Sequence, residues 1–378
     1  MKTYYDVLIY TFGNVKVSAN TLTSNRNETA DPFCAKRSQE FYDAFNQRYN
    51  VKSWACGRYG QRTYSRELGI LWRERMERFI AYNRTHGVNI DFSIQMSGHP
   101  TMIQPFPYFI VTDFLPNSSD EELSVLDSES VYPIRKSGIH EQDAVYQNAT
   151  GVICFSPLTY YAVRNFHQVE DRRLTIICSG VTGHVGKKFK KIPEKLLLWV
   201  GTDYNRKGGE VVLEAFKIMH DKDPEYKLYY VGINQKIDYP GVTVYPFLFG
   251  EDLAILDDLY KRALVCILPS QKECLGLVYL EAMARKTPVI VTSRGGMAEI
   301  IRRCQGGRVV PPDNIKSMIE AITELTSNPE VYRRYSENAY RFSYENTRWD
   351  VFTERADDAI RKWLAGDFES IPKDYDKY

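Results

Sequence analysis

The 378-residue sequence has almost no surplus charge, since 49 basic and 48 acidic side chains leave +1 at neutral pH. A balanced chain exerts no global attraction on nucleic acid, so any basic patch must be local. Paired cysteines are missing too. Cys34, Cys56, Cys154, Cys178, Cys266, Cys274 and Cys304 are odd in number, include no C-x-x-C pair and lie partly in apolar runs. That pattern suits reduced thiols in a cytoplasmic protein rather than a disulfide frame or a zinc site. No apolar run approaches the length of a membrane span, and the short one in MKTYYDVLIYTFG is broken by Asp6, which argues against a signal sequence.

What the sequence does contain is alternation. Short apolar runs read as strands at Asp6–Thr11, Ile90–Met96, Phe109–Thr112, Thr150–Phe155, Leu174–Ser179, Leu196–Val200, Leu228–Val231, Val242–Tyr245, Leu264–Leu268, Pro288–Thr292 and Arg308–Val310. Amphipathic segments separate many of them, including 38–49, 64–86, 251–263, 315–327, 329–343 and 349–364. Residues 15–35 read as a polar loop. The alternation implies an α/β protein with parallel sheets, and the length allows two domains.

The chemistry concentrates between Leu264 and Glu299. A buried strand is followed by Pro269-Ser270, a loop carrying Glu273, a helix from about Gly276, a second strand, and the Gly295-Gly296 turn. Glu273 and Glu281 flank the start of that helix. The amides of Gly276, Leu277 and Val278 open on the same side, where an anion is favoured. Carboxylates repel phosphate, so they must face a ligand's hydroxyl-rich parts while the amides face its charge. A nucleotide-diphosphate sugar has that distribution. Upstream, Lys207-Gly208-Gly209 opens a helix directly after a strand and loop, placing a cation and free amides at another phosphate-binding geometry.

With Glu-x7-Glu set in PSQKECLGLVYLEAMARKTPVIVTSRGGMAE, the sequence resembles the retaining glycosyltransferases of family 4, which have the GT-B fold. The resemblance implies two Rossmann-like domains facing each other across a cleft, with the terminal helix crossing back to the amino-terminal domain. On this basis residues 1–185 form an acceptor-binding domain, 186–195 a linker and 196–345 a nucleotide-sugar-binding domain, with the returning helix at 346–366. It further implies that Glu273 contacts the donor sugar, Glu281 the ribose, and the Leu275, Gly276, Leu277 and Val278 loop the pyrophosphate or sugar through backbone amides. Lys207 matches a family cation on the diphosphate. Thr202 stands where the family has its arginine, which leaves Arg206 as the nearby basic substitute. Gly295 and Gly296 offer further amides to the donor.

Matches in the amino-terminal half are sparser. Gly13 remains of a glycine pair that approaches the donor, or else it only serves a turn. His99 faces a sugar or acceptor, or only satisfies a turn. Asp113 matches the aspartate of a His-Asp pair whose histidine position holds Thr112. Lys187, Lys188, Lys190 and Lys191 touch anionic lipid or lie in a solvated linker. Asp221-Lys222-Asp223 reads as a polar helix-to-strand loop rather than a metal motif.

The resulting expectation is a metal-independent hexosyltransferase without a cofactor. It takes a UDP- or GDP-sugar donor and a glycan, lipid-linked or other hydroxyl acceptor, with Glu273, Lys207 and Arg206 as the catalytic set. It binds no nucleic acid and is cytoplasmic, with peripheral membrane contact left open. Two alternatives stand beside it: a nucleotide-sugar hydrolase or epimerase of the same fold, which would turn over without an acceptor, and a non-catalytic binding protein, which would bind without turnover.

Overall fold

Two six-stranded parallel sheets carry the molecule. The computed structural model describes residues 5–11, 32–55, 77–78, 80–82, 84–85, 87, 89–96, 103–113, 122–126, 131–135, 140–183, 189 and 191–371. The first sheet holds β1 (Asp6–Thr11), β2 (Asn50–Ala55), β3 (Phe92–Met96), β4 (Tyr108–Thr112), β7 (Gly151–Cys154) and β8 (Leu174–Ile176), in the order β2-β1-β3-β4-β7-β8. A separate antiparallel hairpin pairs β5 (Glu122–Leu126) with β6 (Val131–Arg135). The second sheet holds β9 (Leu196–Val200), β10 (Lys227–Val231), β11 (Val242–Tyr245), β12 (Val265–Leu268), β13 (Val289–Thr292) and β14 (Gly307–Val310), in the order β11-β10-β9-β12-β13-β14.

These orders decide where ligands can sit. In a doubly wound sheet the crevice opens at the carboxyl ends of the strands, where the order reverses. In the second sheet that reversal lies between β9 and β12, so the loops at 201–208 and 269–276 face one another. β9 (LLLWV) is buried at every position, as a central parallel strand covered on both faces must be. The helices that follow β9 and β12 therefore point their N-termini at the switch point.

The helices are α1 (Pro32–Asn46), α2 (His140–Asn148), α3 (Pro157–His167), α4 (Gly209–Lys222), α5 (Leu253–Arg262), α6 (Leu277–Met283), α7 (Met297–Cys304), α8 (Ile315–Leu325), α9 (Pro329–Asn346) and α10 (Trp349–Leu364). Three elements were not legible in the sequence pattern: β2, the β5–β6 hairpin and α2. The first helix starts at Pro32, inside the stretch that reads as a loop to residue 35, because proline is well placed in a first helical turn. Most of the amphipathic stretch 64–86 lies outside the described residues.

The terminal helix does cross back. Phe352 packs against Phe41, Phe45 and Phe155 of the first domain at ring-centroid distances of 5.9, 6.1 and 5.9 Å. Trp363 stacks on Phe109 at 5.8 Å, and its indole N–H donates to the Arg172 carbonyl at 3.1 Å. Gly151 makes room for it, since a Cβ there would lie 2.3 Å from the indole ring. Tyr49 donates its hydroxyl to Asp357. The period of 3.6 in WDVFTERADDAIRKWL thus aims one apolar face at the partner domain.

Candidate functional site

Lys207 and Glu273 meet across the switch point of the second sheet. The Lys207 ammonium donates to Glu273 Oε2 at 2.9 Å, and both side chains are largely buried. The sequence fixes Lys207 from several directions. Its carbonyl accepts from the Trp199 indole at 3.0 Å, its amide donates to the Asp203 carbonyl at 3.0 Å, and its stem lies against Gly201. Gly208, the residue that caps α4, has φ of +66°, and a Cβ there would lie 2.5 Å from the Pro269 carbonyl oxygen. Only glycine lets the two loops approach this closely with that backbone.

Arg206 joins the same group. It donates to the Lys272 carbonyl at 2.7 Å and to Asp203 at 3.1 Å, and lies 3.8 Å from Glu273 Oε2. Thr202, at the position where an arginine was expected, is exposed. Lys207 and Arg206 are thus set against Glu273 and Asp203. With carboxylates already in contact, an incoming anion would have to exchange with them for the cations.

Glu281 lies on the buried face of α6, with a relative exposure of 7%. The Tyr260 hydroxyl donates to its Oε2 at 2.9 Å. Gly276 precedes the helix with φ of +77°. Leu275 has its side chain in the core, so only its backbone can face a ligand, whereas Leu277 and Val278 are partly buried.

The loop after β13 is tied to the loop after β12. Gly295 bridges Glu273, and the Gly296 amide donates to the Cys274 carbonyl at 3.1 Å. A Cβ at Gly296 would fall 2.0 Å from the Cys274 carbonyl oxygen and 2.6 Å from Ser156 Oγ of the first domain. Ser156 caps α3, and Cys274 packs with Leu158 and Ala162 of that helix. The amino-terminal domain therefore lies directly over the loop that carries Glu273.

Asp113, at the carboxyl end of β4, is half-buried on this same face. Burial pushes the Cys274 thiol up, and the neighbouring charges of Asp113 and Glu273 push it further. Thr112 is buried and sits 3.3 Å from the Tyr146 hydroxyl. Gly13 and His99 lie outside the described residues, as do Lys187, Lys188 and Lys190. Asp221 and Lys222 close α4 rather than forming a loop, and Asp223 accepts from Lys195 at 2.6 Å. Among the described residues, no group of three or more His, Cys, Asp or Glu side chains is arranged to hold a metal ion.

Lys191 corrects the sequence reading. Its ammonium is neither solvated nor placed for lipid, because it donates to the carbonyls of Tyr260 and Ala263 at 2.9 and 2.7 Å and to Thr287 Oγ1 at 2.6 Å. Two further residues escaped notice. Gln271 donates its amide to the Arg206 carbonyl at 2.8 Å, and its side chain accepts from Arg294 at 3.1 Å, so it ties two cations to the loop. Arg294 stands beside the Gly295-Gly296 turn, and that adjacency was the available signal.

Residues 184–342 match the family model described as "Glycosyl transferases group 1". Over this stretch the chain is similar to the group 1 glycosyl transferases. The match takes in Lys207, Glu273 and Glu281. An uncharacterized glycosyltransferase of Methanocaldococcus jannaschii is 32% identical over 172 residues, which make up 42% of this chain and 42% of that protein. The chain spans about half the length of the first curated relatives it matches. Among solved structures, a sucrose-phosphate synthase from Thermosynechococcus elongatus superposes with a TM-score of 0.67 at 18% identity, covering 96% of this chain and 100% of that one. An Anabaena protein, HepE, solved in complex with UDP and glucose, superposes with a TM-score of 0.62 at 11% identity, covering 95% and 100%. The chain thus has the GT-B fold across nearly its whole length. Among the described residues, no helix is long and apolar enough to cross a membrane.

Proposed function

We propose that this chain is a retaining glycosyltransferase that moves a hexose-type sugar from a UDP- or GDP-sugar to a glycan, lipid-linked or other hydroxyl acceptor, without a metal ion. The observation that carries this reading is the Lys207–Glu273 pair at 2.9 Å, formed by two loops that flank one switch point. A cation for the leaving diphosphate and a carboxylate for sugar hydroxyls are thereby held next to each other. The Anabaena neighbour's UDP and glucose favour the same ligand class.

The largest demand of such a reaction is the charge that builds on the departing diphosphate. Lys207, Arg206 and the amides opening α4 meet it, which gives the protein's own cations the role a divalent ion would have. Glu273, released from Lys207, accepts hydrogen bonds from the sugar, and Glu281 accepts them from the ribose. The bond from the anomeric carbon to phosphate breaks as the acceptor oxygen bonds to the same face. The departing phosphate oxygen takes the acceptor's proton, so no protein base is required. In this reading Asp113, from the other domain, contacts the sugar or the acceptor.

The test is turnover of UDP- and GDP-hexoses with and without a panel of hydroxyl acceptors, in the presence of a chelator. The reading expects acceptor-dependent release of nucleoside diphosphate that survives the chelator, with the anomeric configuration kept in the product. Release without acceptor, an inverted product or loss with the chelator would contradict it.

A further inference from the structure

The loops that end four strands of the second sheet converge on one side chain. Gln271, after β12, donates its backbone amide to the Arg206 carbonyl at 2.8 Å, in the loop after β9. Its carboxamide accepts from the Arg294 guanidinium at 3.1 Å, after β13, and donates to the Asp313 carboxylate, after β14. Arg294 is also fixed through its backbone. Its amide lies 3.4 Å from Thr292 Oγ1, and that hydroxyl donates to the Ser270 carbonyl at 2.7 Å, next to Gln271. An arginine held in this way has less freedom to lose when it binds, which suits a planar guanidinium to recognition.

Arg206, Lys207 and Arg294 are matched differently. Lys207 meets the Glu273 carboxylate at 2.9 Å, and Arg206 meets that of Asp203 at 3.1 Å. Arg294 meets a neutral amide oxygen, and among the described residues it forms no ion pair. Asp313 is linked to it through the Gln271 carboxamide. A guanidinium has several N–H donors, so the bond to Gln271 orients it and leaves both donors and charge for an anion.

The strand order indicates which anion. With β12 lying between β9 and β13, the Glu273 loop separates the cations that meet the diphosphate from the loop of Arg294. Gly295 bridges Glu273, and Gly296 comes against Ser156 of the first domain, so Arg294 stands partly exposed beside the cleft, on the far side of the sugar from Lys207. An anion that reaches it is carried outside the nucleotide.

We propose that Arg294 is a specificity residue that binds a phosphate or carboxylate group of the transferred sugar or of the acceptor, and that Gln271 presents it without neutralising it. The inference rests on the reading of Glu273 as the sugar contact.

The experiment measures affinities by calorimetry in two arms. The donor arm compares UDP-glucuronate with UDP-glucose and GDP-mannuronate with GDP-mannose. The acceptor arm compares glucose 6-phosphate with glucose and glycerol 3-phosphate with glycerol, with UDP or GDP present. The variants are Arg294→Gln, Arg294→Lys and the double change Gln271→Glu with Asp313→Asn, which moves the carboxylate of the relay onto Arg294. In one arm the wild type is expected to prefer the anionic member by about tenfold or more, the scale of a hydrogen bond between charged groups, and the arm that responds identifies the source of the anion. Arg294→Gln and the double variant should bring the ratio close to one, Arg294→Lys should keep part of it, and UDP or GDP alone should bind every variant within about twofold of the wild type. A wild type that binds a nucleotide but prefers no anionic member in either arm would overturn the proposal. So would a preference that survives Arg294→Gln, or equal losses for the charged and neutral members, which mark a structural role. A wild type that binds neither UDP, GDP nor their sugars would overturn the donor-site reading itself, and the role of Arg294 with it.

Discussion

The two sheets manage polarity differently. In the second, β9, β12 and β13 are apolar along nearly their whole length, and charged groups start only where the strands end: Lys207 after β9, Glu273 after β12, Arg294 after β13. In the first, polar side chains are buried within the strands themselves, with Ser93 and Gln95 in β3, Thr112 in β4 and Thr175 in β8. A buried polar group needs a partner, and Thr112 has one in the Tyr146 hydroxyl. The contrast also separates a half whose function reads off loop ends from one whose polar residues serve the fold.

The largest effect expected from this contrast is on stability. Trp363→Ala removes the indole between Phe109 and Gly151 and should cost about 3–5 kcal/mol, measured by denaturant unfolding. If the second sheet has its own core, nucleotide affinity extrapolated to the folded fraction should be unchanged. Next comes Lys207→Ala, which removes the cation at the switch point. It should lower turnover by about 10²–10³-fold, on the scale of removing one preorganised group that stabilises transition-state charge, with the unfolding midpoint altered far less than by Trp363→Ala. Equal damage to stability would mean that the Lys207–Glu273 pair serves the fold rather than the reaction.

How much of this was legible follows the same divide. The strands of the second sheet and the terminal helix could be read because an apolar run or a 3.6-residue period is a local signal. Glu273, Glu281 and Lys207 were singled out by their spacing around glycines and by the family resemblance, and the structure brings Lys207 and Glu273 together. The role of Lys191 was not, because its partners lie 69, 72 and 96 residues away and nothing in GKKFKKIPEK distinguishes it from its neighbours. Tyr260 reads as one more apolar position of an amphipathic helix until Glu281 is placed beside it. β2 escaped because NVKSWA alternates too weakly to stand out. The roles suggested for Gly13 and His99 rest on the sequence alone.

Two smaller effects sharpen the comparison. Thr112→Val takes away one hydrogen-bond partner of the buried Tyr146 hydroxyl and should cost about 1 kcal/mol. A comparable change at Val291 in the second sheet, Val291→Ala, should act through packing alone. The smallest effect is a slope. Burial holds the Lys191 ammonium well below its usual 10.5. Between that lowered value and 10.5 the unfolded chain binds a proton that the folded chain does not, so stability should rise with pH in this window. Lys191→Met should flatten the rise in thermal midpoint below pH 10.5; an unchanged slope would show that Lys191 stays charged among its three oxygens.

The most direct test of the donor site is the thermal midpoint of the wild type and of Glu281→Ala with UDP, GDP and ADP, each with and without a chelator, since a ligand that binds the native state raises the midpoint. The account predicts that one of UDP or GDP stabilises the wild type with the chelator present and has no effect on Glu281→Ala. Stabilisation that persists in Glu281→Ala, or none by any of the three at millimolar concentration, would contradict it.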